Sequence, residues 1–188
     1  MRLLVIVGDK FNDIELTSTL SVLIASGQMK SIEYYSNNLT HATGQFGIVK
    51  LRDLKNKVDV NDYDAVFIPG GMSAQALRAN KPELDLVREF LNNNKYLFAI
   101  CDAPNALREA EIFDNNFHYS SYPSQWGLLV AGSNRNESNV TIQGKVITAR
   151  NALSAAQLGY TILKVYFNKD LANQTYRRMS GNKNKDLF

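Results

Sequence analysis

Three short, unbroken apolar runs constrain this chain more than anything else in it: LLVIV at residues 3–7, AVFI at 65–68 and YLFAI at 96–100. Each is too short for a packed helix and lacks the alternation of a strand with one wet face. Each therefore reads as a strand buried on both sides. Segments with helical spacing separate them, and helices are predicted over 14–25, 73–78, 82–92, 104–111 and 154–167, the third with proline seated at its start. Residues 32–36, 120–123 and 146–149 read as further strands. Residues 43–49, with Gly44 and Gly47, read as a turn or hairpin feeding a short strand. Such alternation predicts an α/β fold, a mostly parallel sheet with helices on both faces. No linker or repeat divides the chain, so residues 1–179 read as a single domain and 180–188 as a polar, mobile tail.

Composition removes several classes of function. The single cysteine, Cys101, forbids an internal disulfide and any cysteine-based zinc site, and suits a reduced, cytoplasmic setting. The four Asn-x-Ser/Thr matches (Asn38, Asn136, Asn139, Asn173) then reflect an asparagine-rich composition. The net charge of +3 resides entirely beyond residue 167, and the preceding residues balance at 16 basic against 16 acidic. No basic face is available for nucleic acid. The apolar runs fall far short of the roughly 20 residues of a membrane span.

In a doubly wound sheet, reactive groups gather at the carboxyl ends of the strands. That directs attention to the loops at 8–13, 69–72 and 101–104. Cys101 sits between a buried strand and the following helix, the geometry of a nucleophile elbow, where a helix N-terminus favours the thiolate. Pro69-Gly70-Gly71 offers amides unobstructed by side chains, and the Gly71 and Asp102 N–H groups are candidate oxyanion donors. Glu15, just beyond the first strand, could donate a hydrogen bond to a thiolate. Each feature also has a plain reading: a buried small hydrophobe, an ordinary turn, and an exposed carboxylate at a helix start.

Taken together, the motifs resemble the ThiJ/PfpI family. LLVIVGDKFNDIELTSTLSVL is similar to its opening strand, acidic loop and Glu-bearing helix, and YDAVFIPGGMSA to its PGG segment. FAICDAPNALREAEIF resembles its nucleophile elbow, SSYPS its TxYP strand, and VTIQGKVITARNALSAAQLGYTIL its closing strand and helix. The similarity runs from residue 3 to about 167, in the family's order. It implies a flavodoxin-like three-layer sandwich, a homodimer, and no metal or organic cofactor. It also implies that Cys101 is the reactive cysteine, Glu15 its buried acid, and Gly71 and Asp102 the backbone donors, with Gly70, His118 and Asn151 as candidate substrate contacts. The activities implied act on small carbonyl compounds or their protein adducts, or sense oxidants. A non-catalytic binding or regulatory member and a weak intracellular protease or amidase are the alternatives.

The chain departs from the family pattern at four places. Asp102 follows the cysteine, where Ala or His is common. An unshielded charge about 6 Å from a thiolate would cost about 3 kcal/mol at an effective dielectric near 20. RGPGT becomes Arg150-Asn151-Ala152-Leu153-Ser154, and Phe46 stands where a basic or imidazole side chain is common. No histidine aligns after the TxYP strand, where Ser133 or Asn134 falls. His118 precedes that strand, and His41 reads as a surface residue. Without a placed base, efficient Cys-His hydrolysis is not expected. A dinucleotide site lacks its G-x-G-x-x-G turn, and Asp9-Lys10-Phe11-Asn12-Asp13 makes a poor phosphate cradle for a flavin.

Overall fold

Residues 1–131 and 134–188 are described in a computed structural model. The strands are β1 (Arg2–Ile6), β2 (Ser31–Tyr35), β3 (His41–Thr43), β4 (Lys50–Arg52), β5 (Ala65–Ile68), β6 (Tyr96–Ile100), β7 (Tyr119–Ser120), β8 (Arg135–Asn136), β9 (Val140–Gln143) and β10 (Val146–Ala149). The helices are α1 (Asp13–Ala25), α2 (Ser73–Leu77), α3 (Lys81–Asn92), α4 (Ala103–Glu109), α5 (Gln125–Ala131), α6 (Ala155–Ile162) and α7 (Lys169–Ser180). Six strands form the central sheet in the order β2-β1-β5-β6-β10-β9, parallel except for the antiparallel pairing of β9 with β10.

The apolar runs behave as their composition requires. Leu3, Val5, Phe67, Phe98, Ile100 and Ile147 face α1 and α6. Their sequence neighbours Leu4, Ile6, Val66, Ile68, Leu97 and Ala99 face α3 and α4. Side chains alternate across a strand, so burial of every residue demands a helical layer on each face, and that demand makes the sandwich. The fold is the helix-covered, mostly parallel α/β sheet expected from the pattern, in the flavodoxin-like form that the family resemblance implies. In register, Leu3 pairs with Ala65, and Ala65 with Tyr96, so the carboxyl ends of β1, β5 and β6 come out side by side.

Four elements had no sequence expectation: α5, β8, β9 and α7. α7 (KDLANQTYRRMS) buries only Ala172, Asn173 and Thr175, so it carries no broad apolar stripe to announce it. Helix α6 ends in a π-helical turn over Leu163–Phe167, and Asn168 then caps α7 through Leu171 N (2.8 Å). Of residues 180–188, expected as a mobile tail, Ser180 ends α7 and 182–188 fold back along it. Asn173 Oδ1 accepts from Leu187 N and Phe188 N (both 3.1 Å), and Lys164 Nζ lies 4.4 Å from the Phe188 ring centroid.

The loop preceding α1 anchors the β3–β4 hairpin. Asn12 caps the helix by accepting from Ile14 N (3.0 Å) and Glu15 N (3.3 Å). Asp13, 2% exposed, accepts from Phe46 N (2.9 Å), Ile48 N (3.0 Å) and Val49 N (2.7 Å). Burial alone would raise the Asp13 carboxyl, but the hairpin amides outweigh it and hold the group below its ordinary range. A carboxyl lowered in the native state contributes stability at neutral pH and loses it as pH falls below about 3.9. Asp13→Ala is expected to cost about 2 kcal/mol at pH 7 in urea denaturation. The difference from the parent should shrink towards pH 2, and a pH-independent difference would refute the assignment.

Candidate functional site

At the end of β6 the chain reverses through Cys101, whose φ of +65° is left-handed, a conformation costing a non-glycine residue of order 1–3 kcal/mol. The turn is held from two sides: Cys101 N donates to Ala149 O on β10 (2.9 Å), and Cys101 O accepts from Tyr122 N (2.7 Å). The chain then enters α4, whose Pro104 needs no N–H partner in the first helical turn. The sulfur is thereby lifted off the sheet towards the ends of β1 and β5.

From β5, Pro69-Gly70-Gly71 passes beside it. A Cβ at Gly70 would lie 2.7 Å from both Cys101 Cβ and Glu15 Oε2, so a side chain there would occupy the point where the cysteine and acid meet. Gly71 has φ +91° and forms an antiparallel bridge with Phe11, and Gly70 O accepts from Asn12 N (3.0 Å). The first-strand loop and the PGG turn are thus one clamped unit.

Glu15 is 0% exposed, which removes the plain reading of a solvated helix-start carboxylate. Its Oε2 accepts from Gly70 N (2.7 Å), while Oε1 is buried and has no hydrogen-bond partner among the described residues. A carboxylate with one donor is poorly compensated for lost water. Burial accordingly pushes Glu15 up to about 7, opposed by its contact with the Cys101 side chain and by the Gly70 amide. Cys101 is half-buried, and burial pushes its thiol up as well. Negative charge on Glu15 adds to that rise, and the Gly71 and Asp102 amides oppose it. The expectation of a depressed thiol rested on the helix end, the amides and Glu15 as a donor; desolvation and negative charge on that acid act the other way. Two adjacent groups that both resist ionisation titrate as a pair.

Asp102 proves unlike the bare charge expected. Its carboxylate is 6% exposed and takes both ends of the Arg78 guanidinium, Nη1 to Oδ2 at 2.8 Å and Nη2 to Oδ1 at 3.1 Å. Gln75 Nε2 (2.7 Å), Asn105 Nδ2 (2.8 Å) and Ser124 Oγ (3.2 Å) complete the shell, and Arg78 Nε bonds Glu109 at 2.8 Å. The paired cation cancels most of the field that Asp102 would project onto the sulfur. The same carboxylate ties α2, α4 and the Ser124 start of α5 to the elbow.

A cavity of about 880 Å³ opens over the sulfur, lined in part by Glu15, Gly71, Cys101, Asp102 and Asn151, within the range of small-molecule sites. Asn151 is held by Ser154, whose N donates to its O (2.9 Å) and whose Oγ meets its Oδ1 (3.2 Å), so RNALS builds a turn on the cavity wall. His118 is not brought to the site: it is exposed and precedes β7, whose other end leads to Tyr122 and the elbow. His41 is exposed on β3. Phe46 is 57% exposed, and its neighbour Gln45 is the hairpin residue that reaches the cavity. Ser133 lies outside the described residues, and Asn134 O accepts from Tyr119 N at the start of β7. Sequence reading missed Arg78, Gln75, Asn105 and Ser124; the available signal was Asp102 itself, since an acid at a buried elbow requires a cation. Among the described residues no cluster of three or more His, Cys, Asp and Glu side chains could hold a metal.

Arg78→Ala is expected to cost about 3–5 kcal/mol in urea denaturation, because it strands a buried carboxylate. Arg78→Ala combined with Asp102→Ala should recover part of that loss. A double variant as unstable as the sum of the two singles would show that the pair is not coupled.

Comparison with known proteins agrees with this geometry. The DJ-1/PfpI family model matches residues 1–165. An uncharacterized protein of Mycoplasma genitalium is 34% identical over 189 residues, covering 98% of this chain and 99% of that one. A deglycase of Pyrococcus abyssi is 24% identical over 152 residues, 80% of this chain and 90% of that one. Among solved structures, oxidized DJ-1 of Toxoplasma gondii superposes with a TM-score of 0.82 at 21% identity, covering 95% of this chain and 97% of that one. Drosophila melanogaster DJ-1beta gives 0.80 at 22%, covering 96% and 98%. With its strands, elbow and clamped acid in the order the motifs required, the chain belongs to the DJ-1/PfpI family.

Proposed function

We propose that Cys101 is a nucleophile towards small reactive carbonyl compounds or their protein adducts, with Glu15 as its proton carrier. The observation that carries this reading is the buried Glu15 carboxyl, raised to about 7 and pressed against the cysteine with one oxygen unpartnered. With its carboxyl raised to about 7, Glu15 holds its proton in a large fraction of molecules near neutral pH and there donates rather than repels, and the Gly71 and Asp102 amides favour the negative charge on sulfur. The sulfur lone pair attacks the aldehyde carbon of a 2-oxoaldehyde, a C–S bond forms, and the carbonyl π pair moves to oxygen. That oxygen takes the Glu15 proton, giving a hemithioacetal and a Glu15 carboxylate. The carboxylate removes the C–H proton beside sulfur, and the electron pair passes to the adjacent carbonyl oxygen to give an enediolate. The hydroxyl beside sulfur gives up its proton to that oxygen as Glu15 returns the first proton to the neighbouring carbon, leaving a 2-hydroxyacyl thioester. Water cleaves the thioester to a 2-hydroxy acid and restores the thiol. Among the described residues no histidine lines the cavity, which disfavours peptide hydrolysis.

The second reading, an inert binding or regulatory member, draws support from the burial that raises the Cys101 thiol. Iodoacetamide labelling against pH separates the two. A reactive cysteine labels with an apparent pKa below the free-thiol value of about 8.5, and a value at or above it favours the inert member. Glu15→Ala, checked for folding by circular dichroism, should cut labelling at pH 7 by about tenfold, because the donor to the thiolate is lost. Faster labelling in that variant would show Glu15 to be an anion and would overturn its role. Glu15→Gln should keep labelling yet lose turnover. No described helix is long and apolar enough to cross a membrane. We place the protein in the cytoplasm, as a homodimer, and a mass near 21 kDa by light scattering would contradict the dimer.

A further inference from the structure

Resting on the reading of Cys101 as a nucleophile, we infer that its cavity selects neutral carbonyl compounds bearing an aromatic or branched aliphatic group, against those bearing a carboxylate or phosphate. Four large apolar side chains stand around the mouth with much of their surface in water: Met72 (58% exposed), Tyr122 (48%), Trp126 (51%) and Leu153 (93%). They come from four separate segments, the PGG turn, the loop after β7, α5 and the RNALS turn. Their convergence on one opening is a property of the fold rather than of one greasy loop. Covering them with an apolar group removes that surface from water, the usual driving force at such sites.

The charge pattern supplies the exclusion. Among the described residues no Lys, Arg or His lines the cavity, and its only carboxyl groups are Glu15 and Asp102. Arg78, which pairs with the lining residue Asp102, is already committed: its guanidinium bonds Asp102, Glu109 and Ala74 O, and its side chain is 16% exposed. A substrate anion would enter with no donor of positive charge facing it, beside the single negative charge that the Cys101–Glu15 pair can hold. The remaining polar lining comes mostly from amide groups such as Asn12, Gln45 and Asn151, which suit a neutral carbonyl or hydroxyl.

Trp126 is the only tryptophan of the chain and lines the cavity, so its fluorescence reports occupancy without requiring turnover. With the full chain carrying Cys101→Ser, acetophenone should quench Trp126 saturably at pH 7.5. Its Kd should be at least tenfold below that of benzoate, which has similar size but a negative charge. Leu153→Ala should weaken acetophenone at least fivefold while leaving the mass in light scattering unchanged. Equal or tighter binding of benzoate would overturn the inference, as would a change of mass in Leu153→Ala, which would show the patch to be covered by a second copy. Turnover by the Cys101 protein is then measured with phenylglyoxal and 4-carboxyphenylglyoxal. Consumption of both at equal kcat/KM overturns the selectivity alone. Consumption of neither, with acetophenone still bound, overturns the nucleophile reading and leaves the preference of the cavity standing.

Discussion

The site depends on one packing constraint: three strand ends meet at a point where no side chain fits. Parallel register brings β1, β5 and β6 out together, and at Gly70 the Cys101 Cβ and Glu15 Oε2 both occupy the space of a missing Cβ. The Gly70 amide then serves as the donor that fixes the acid. Everything catalytic in the proposal follows from this closeness. A larger residue at 70 would drive the cysteine and acid apart, and a looser first-strand loop would leave Glu15 free to reach water. The clamp between Phe11, Asn12, Gly70 and Gly71 prevents the second outcome, and the left-handed Cys101 turn is held by β10 and Tyr122 against relaxation.

Much of this was legible in the chain because strands buried on both faces are hard to mistake. Once LLVIV, AVFI and YLFAI are parallel strands, the strand-end rule collects Gly70, Gly71 and Cys101. Glu15 lies just past the first of these loops, and its place beside the cysteine was implied by the family resemblance. The supporting cation was not legible. Arg78 follows a five-residue helix, and nothing in its spacing from Asp102 announces a bidentate pair until α2 and α4 are packed. His118 failed for a related reason: nearness in sequence to the SSYPS segment says nothing about which end of β7 faces the elbow. Helix α7 escaped because its stability comes from caps and a few small buried residues rather than from an apolar stripe.

Asp102 shows how a local electrostatic argument changes sign with its surroundings. Taken alone, a carboxylate next to the cysteine opposes a thiolate by about two pKa units at the distances of an elbow. Bound to Arg78, it presents close to no net charge, and its hydrogen bonds to Asn105 and Ser124 position the start of α5, which carries Trp126. The residue that looked like a defect in the elbow is instead the joint between the Cys101 turn and one wall of the cavity. Buried pairs of this kind contribute little net stability against an apolar replacement. Retaining one here makes better sense as a way of fixing where α2, α4 and α5 stand relative to Cys101.

These charges also set how the site can ionise. Asp102 and Arg78 cancel, Glu109 takes the remaining edge of the guanidinium, and among the described residues no cation lines the cavity around Glu15 and Cys101. Desolvation then permits the pair one negative charge at most near neutral pH, and the amides decide where it rests: Gly70 favours the carboxylate, Gly71 and Asp102 the sulfur. A proton moving from sulfur to carboxyl changes the net charge of the cavity by nothing, so the proposed nucleophile needs no second ion to be desolvated. Carboxyl and thiol thus form a single proton-holding unit, and the neutral, apolar mouth above them keeps that unit free of competing ions.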